Sequence, residues 1–64
     1  ETTEYFVGDG VEDDFQLKVT PNTVVSVTVN GVAQTSGTDY TVSTNTVTFT
    51  TAPAKDAIIQ IIYK

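Results

Sequence analysis

The sequence predicts an all-β chain, a small antiparallel β-sandwich of about seven short strands, either Ig-like or a partly open barrel. Three observations carry that expectation. Helix signals are nearly absent: Leu17 is the single leucine, there is no arginine, and no ten-residue segment repeats its apolar positions at three-and-four spacing. Thr and Val dominate instead, and β-branched side chains suit a pleated surface while losing rotamer freedom in a helix. Turn clusters then cut the chain into runs too short for anything but strands.

The runs follow in order: Glu4 to Val7, Asp14 to Val19, Val24 to Asn30, Val32 to Thr35, Asp39 to Ser43, Thr46 to Thr51 and Ala57 to Tyr63. Gly8-Asp9-Gly10, Pro21-Asn22, Asn30-Gly31, Ser36-Gly37, Thr44-Asn45 and Ala52-Pro53 separate them, each offering positive φ or a missing donor. Asn30-Gly31 between Val29 and Val32 is the sharpest hairpin signal, because a two-residue type I′ turn needs positive φ at both positions.

Alternation assigns faces. Phe15, Leu17 and Val19 are expected on one side of their strand and Gln16 and Lys18 on the other. Val25, Val27 and Val29 alternate with Ser26 and Thr28, Tyr40 and Val42 flank Thr41, and Val47 and Phe49 interleave with Thr46, Thr48 and Thr50. One face is apolar and the other largely threonine, the pattern of antiparallel sheets with a buried and a wet side. The last run departs from it. Ile59, Ile61 and Tyr63 share one face, yet Ile58 and Ile62 occupy the other, so both sides of that strand are apolar. In a chain too small for three layers, the second face is expected to meet a sister subunit or an adjacent repeat; the alternative is a central strand covered by a loop or the N-terminal arm. Tyr5 and Phe6 are adjacent and face opposite ways, which makes one of them, Tyr5, a further candidate for a partner surface beside Ile58 and Ile62.

Size sets the energetic frame. A chain of 64 residues holds one domain, and at this length folding buries only about 60% of the unfolded surface. Without Cys, His or Met, the usual staples of disulfide and zinc are missing, leaving association with neighbours or a carboxylate-bound hard cation. Starting at Glu1 without a signal-type segment, the chain reads as a segment or processed product of a longer one. No apolar run approaches the roughly 18 residues that cross a bilayer, so membrane insertion is not expected. Eight acidic residues against Lys18, Lys55 and Lys64 give a net charge of −5. Nucleic acid is therefore an unsuitable partner, since tracking phosphates takes clustered Lys or Arg.

Catalytic and cofactor residues are not expected. There is no Cys–His or Ser–His pairing, and Ser26, Ser36 and Ser43 lack a nucleophile elbow. The carboxylates Asp9, Glu12, Asp13 and Asp14 crowd into one loop, too close in sequence to flank a glycosidic substrate from opposite walls. The same loop offers oxygens of the kind Ca²⁺ takes, but without EF-hand spacing, and it reads first as a solvated loop that guards an edge; no metal site is assigned. Phe15, Tyr40 and Phe49 lie in phase with apolar neighbours and are assigned to the core.

With the strands placed, the order of motifs resembles a β-rich module found in tail fibres, tailspikes and other virion appendages of tailed bacteriophages. The resemblance rests on Phe6-Val7-Gly8-Asp9-Gly10, Phe15-Gln16-Leu17, the Val25 to Gln34 hairpin, Gly37-Thr38-Asp39-Tyr40-Thr41, Thr46 to Thr50, Ala52-Pro53 and Ile59 to Tyr63. Glu12-Asp13-Asp14 departs from it, standing where such modules more often have Thr or Ser. The resemblance implies a non-catalytic spacer, adaptor or knob exposed on the virion, in trimeric or repeated arrangements, with no cofactor. Two other readings stand beside it. One is a receptor- or glycan-binding domain that meets a host-surface glycan through turns such as Ser36-Gly37-Thr38 and the exposed aromatic; the other is an Ig-like bacterial adhesin domain.

Overall fold

The computed structural model describes residues 1–64 and contains seven strands: β1 (Thr2–Val7), β2 (Asp14–Gln16), β3 (Val24–Val29), β4 (Val32–Ala33), β5 (Tyr40–Ser43), β6 (Thr46–Phe49) and β7 (Ile58–Tyr63). They form two antiparallel sheets, a four-stranded one in the order β1-β7-β3-β4 and a three-stranded one in the order β2-β6-β5. The fold is a small β-sandwich.

The predicted alternation builds the core. Val47, Phe49, Phe15 and Tyr40 face inward from the three-stranded sheet and Ile59, Ile61, Tyr63 and Val27 from the four-stranded one, with Leu17 filling in just past β2. Phe15 meets Phe49 edge to face at 5.6 Å between ring centroids and Phe6 at 5.4 Å, so the aromatic residues join the two layers. Ile59 and Ile61 are fully buried, each contributing roughly 1.5–3 kcal/mol by removal from water.

Asn30 and Gly31 both have positive φ, 51° and 82°, as the hairpin between β3 and β4 requires. Asn30 has a second task that the turn signal does not reveal. Its Oδ1 accepts from the Ile58 amide at 2.9 Å, and its own amide donates to the Ile58 carbonyl at 2.8 Å, fixing the start of β7 against the hairpin. At the opposite end the Asn22 and Thr23 amides donate to the Lys64 carbonyl, and the Lys64 amide donates to that of Thr23.

Three assignments of faces need correction. Val25 does not join Val27 and Val29 on the core side, because a bulge between Val24 and Ser26 adds one residue to the ladder. Val24 takes the inward place opposite Tyr63, and Val25 is left 44% exposed. Val19 is also exposed, since β2 ends at Gln16 and the chain turns away after Leu17. Leu17 is held by Asn45, whose Nδ2 donates to the Leu17 carbonyl while the Leu17 amide donates to the Asn45 carbonyl. Val42 is paired with the buried Val47 but lies on the edge strand β5, where only one flank is covered.

Gly8 illustrates a backbone constraint of another kind. Its amide donates to the Ala57 carbonyl and its carbonyl accepts from the Asp56 amide, and a Cβ built there stands 2.6 Å from the Ala54 carbonyl oxygen. Glycine is required by that close approach to the segment entering β7, not by a left-handed φ.

Candidate functional site

The register of the four-stranded sheet determines what its outer face presents. On β7 the outward residues are Ile58, Gln60 and Ile62; opposite them stand Val7, Tyr5 and Thr3 on β1, with Thr28 and Ser26 on the β3 side. Ala33 extends the Thr28 row onto β4. Tyr5, Val7 and Ile58 are exposed and Ile62 is half-buried. The three candidate partner residues Tyr5, Ile58 and Ile62 thus lie on one surface, on two adjacent strands. The N-terminal strand does not cover it, since β1 pairs beside β7 within the same sheet.

A single polar row crosses this surface. The Thr28 hydroxyl donates to Gln60 Oε1 at 3.5 Å, and Gln60 Nε2 donates to the Tyr5 hydroxyl at 3.4 Å. Both contacts are at the long limit of a hydrogen bond, leaving the Gln60 amide with capacity to spare. None of the nine outward residues is charged, although the chain carries eight acids and three lysines.

The acidic loop divides into two parts. Glu12, Asp13 and Asp14 place carboxylate oxygens within 4.8 Å of one another, all exposed, and Asp9 stands outside that group. Asp9 Oδ1 accepts from the amides of Val11 and Glu12 at 2.9 and 2.7 Å, and these hydrogen bonds hold its carboxyl below the ordinary carboxylate range. Asp14 accepts from the Thr48 hydroxyl at 2.8 Å, and Glu12 accepts from the Asp14 amide. The Asp9 and Glu12 contacts order the loop internally, and the Asp14 contact with Thr48 docks it on β6.

One carboxylate with a tertiary role carries no sequence signal. Glu4, on the inward side of β1, accepts from the Tyr63 hydroxyl and, at 3.1 Å, from the Lys18 amide. It ties β1 and β7 to the segment after β2. The hydrogen bond to Glu4 chiefly, then burial, then the nearby negative charge, pushes the Tyr63 phenol up.

The turn Ser36-Gly37-Thr38 is not brought to the exposed aromatic. It follows β4 and pairs with the start of β5, Ser36 bridging to Tyr40 and the Gly37 amide donating to the Tyr40 carbonyl, whereas Tyr5 is on β1 at the opposite edge of the four-stranded sheet from β4. Nor does a cavity open anywhere on the surface. No family model, curated protein or solved structure matches the chain.

Proposed function

We propose that the chain is a non-enzymatic structural module of a bacteriophage virion appendage, a tail fibre, spike or decoration, displayed on the outside of the particle. It acts by packing the outer face of its four-stranded sheet against a neighbouring virion chain or repeat. The observation that carries this reading is the row Ile58-Gln60-Ile62, apolar at both ends on the outward side of a central strand, in a chain otherwise rich in surface acids. A fold this small has every reason to place isoleucine inward; isoleucine turned outward is accounted for by a partner that removes it from water. The ordered motifs from Phe6 to Tyr63 support the appendage setting, and a sheet face without a cavity suits contact between proteins better than enclosure of a small substrate.

Imaging of native particles carrying a label fused to this chain tests the proposal. Regularly placed label on a tail or capsid appendage is the expected result, and particles without label would overturn it. The second reading, recognition of a host-surface glycan, is favoured by one observation, the 66% exposed Tyr5 ring beside the Gln60 amide. It predicts binding on a glycan array that Tyr5→Ala abolishes.

A further inference from the structure

We infer that the partner of this face is a second copy of the same chain, packed sheet to sheet about a two-fold axis that passes close to Gln60. This rests on the contact role proposed above and adds the identity and symmetry of the partner.

Charge is the first argument. Each copy carries −5, so two copies repel wherever their acids meet, and the acids occupy the loops and rims: Asp9 to Asp14, Asp39, Asp56, Glu1 and the Glu4 side of β1. The outward face of the four-stranded sheet is free of charge. The three-stranded sheet offers no equivalent, because Asp14 lies in its outer Asp14-Thr48-Thr41 row. Contact through the uncharged face brings no two carboxylates directly together, and salt reduces what long-range repulsion remains.

The second argument is self-complementarity. A two-fold interface sets a surface against itself, so groups near the axis must pair with their own kind. Gln60 lies midway between Ile58 and Ile62 on β7, with Tyr5 and Thr28 on either flank. A primary amide has one donor and one acceptor edge, and two facing amides exchange two N–H···O bonds head to tail. The long contacts of 3.4 and 3.5 Å leave both edges of Gln60 available for this. Around the amide pair, Ile58 of one copy lies over Ile62 of the other, with Tyr5 and Val7 enlarging the apolar area. Buried Asn pairs in coiled coils use the same device to fix one register at some cost in stability.

Area sets the strength. Three six-residue strands at about 4.8 Å spacing and about 3.4 Å per residue, with only Ala33 added from the two-residue β4, give a face of roughly 14 by 20 Å, hence on the order of 600 Å² over two copies. That is the range of weak, reversible association. The isolated chain is therefore expected to pair only weakly, half dimeric near roughly 1 mM, and tethering several copies on one particle raises the effective concentration into that range.

Sedimentation velocity of the 64-residue chain from about 20 µM to 2 mM, in low and high NaCl, tests the inference, with circular dichroism confirming that each variant is folded. A reversible dimer that tightens with salt is expected. Gln60→Glu and Ile58→Lys are expected to weaken it at least about tenfold, and Thr41→Glu on the exposed edge strand of the other sheet to leave it unchanged. A monomer at 2 mM, a trimer or open-ended array, a dimer that loosens with salt, or a dimer indifferent to Gln60→Glu and Ile58→Lys would each overturn the inference. Because the measurement requires no particle, a salt-tightened dimer of a chain that labelled particles lack would sink the appendage role and keep the pairing, while labelled particles with a monomeric chain would do the reverse.

Discussion

Strands β6 and β7 each run through the middle of a sheet, and they treat their two sides differently. Inward they are alike: Val47 and Phe49 on β6, and Ile59, Ile61 and Tyr63 on β7, all buried. Outward, β6 shows Thr46 and Thr48, hydroxyls that suit water and one of which holds Asp14, while β7 shows Ile58, Gln60 and Ile62. Threonine on β6 is what a two-layer sandwich needs at its surface. Isoleucine on β7 adds little to the fold, because a residue facing solvent has no layer above it to pack against. The difference separates residues that the sandwich needs from residues that it merely tolerates, and it places the second kind on one sheet.

The inward equivalence gives the largest expected effects. Phe49→Ala removes about 3–5 kcal/mol and Ile61→Ala about 2–5 kcal/mol, through lost burial and the cavity left behind. A domain of this size holds only a few kcal/mol in reserve, so both variants are expected to be largely unfolded at 25 °C by circular dichroism. If one sheet tolerated its truncation, the two layers would not share a single core and the comparison would fail at its base.

The hairpins sharpen it next, one in each sheet. In the four-stranded sheet Asn30 and Gly31 suit their positive φ, and Gly31→Ala is expected to cost about 1 kcal/mol although open space surrounds the position. In the three-stranded sheet Thr44 sits at φ 55°, a region that strains a β-branched residue. Thr44→Asn is expected to raise stability by about 0.5–1 kcal/mol in urea titrations, since Asn tolerates that conformation. A loss on Thr44→Asn would show that the Thr44 side chain contributes something the geometry does not reveal.

Much of this arrangement was legible from residue order, and the exceptions have physical causes. Period-two patterning identified the inward set from Phe15 to Tyr63, and Asn30-Gly31 announced its turn, because both signals are local. Alternation misplaces Val25 because a bulge is an event of pairing, fixed by how Val24 and Ser26 meet β7. The need for glycine at position 8 comes from a carbonyl 46 residues away in sequence, that of Ala54, and the tie from Glu4 to Tyr63 spans nearly the whole chain. Tyr5, Ile58 and Ile62 were separable from the core by alternation, but that they share a surface follows from β1 pairing with β7, which no local pattern contains.

The outward difference predicts a small effect by design. Replacing Ile58 and Ile62 together by Thr makes the surface of β7 resemble that of β6, and the folding stability of the monomer is expected to change by less than about 1 kcal/mol, as exposed substitutions do. Urea unfolding at about 10 µM, well below the concentrations proposed for pairing, isolates that quantity. A loss comparable to that of Ile61→Ala would mean that the outward isoleucines serve the fold after all.

The smallest effects lie at the extremes of pH, one toward each sheet. The lowered Asp9 carboxyl stabilises the loop that leads into β2; its contribution is complete above the ordinary value of 3.8 and fades as pH falls through the still lower native value. The raised Tyr63 phenol works in the opposite sense. Its contribution is complete below the ordinary value of 10.0 and is lost as pH rises through the higher native value, because ionisation removes the proton donated to Glu4 and sets two anions against each other at the junction of β1 and β7. Acid is therefore expected to loosen first the approach to the three-stranded sheet, and alkali the four-stranded one. Amide signals of Val11 and Glu12 should respond in the acid limb and those of β1 in the alkaline limb. Asp9→Ala should flatten the first and Tyr63→Phe the second. If Tyr63→Phe left the alkaline fall in stability unchanged, the tie between Tyr63 and Glu4 would not be what secures β1 at the edge of the uncharged face.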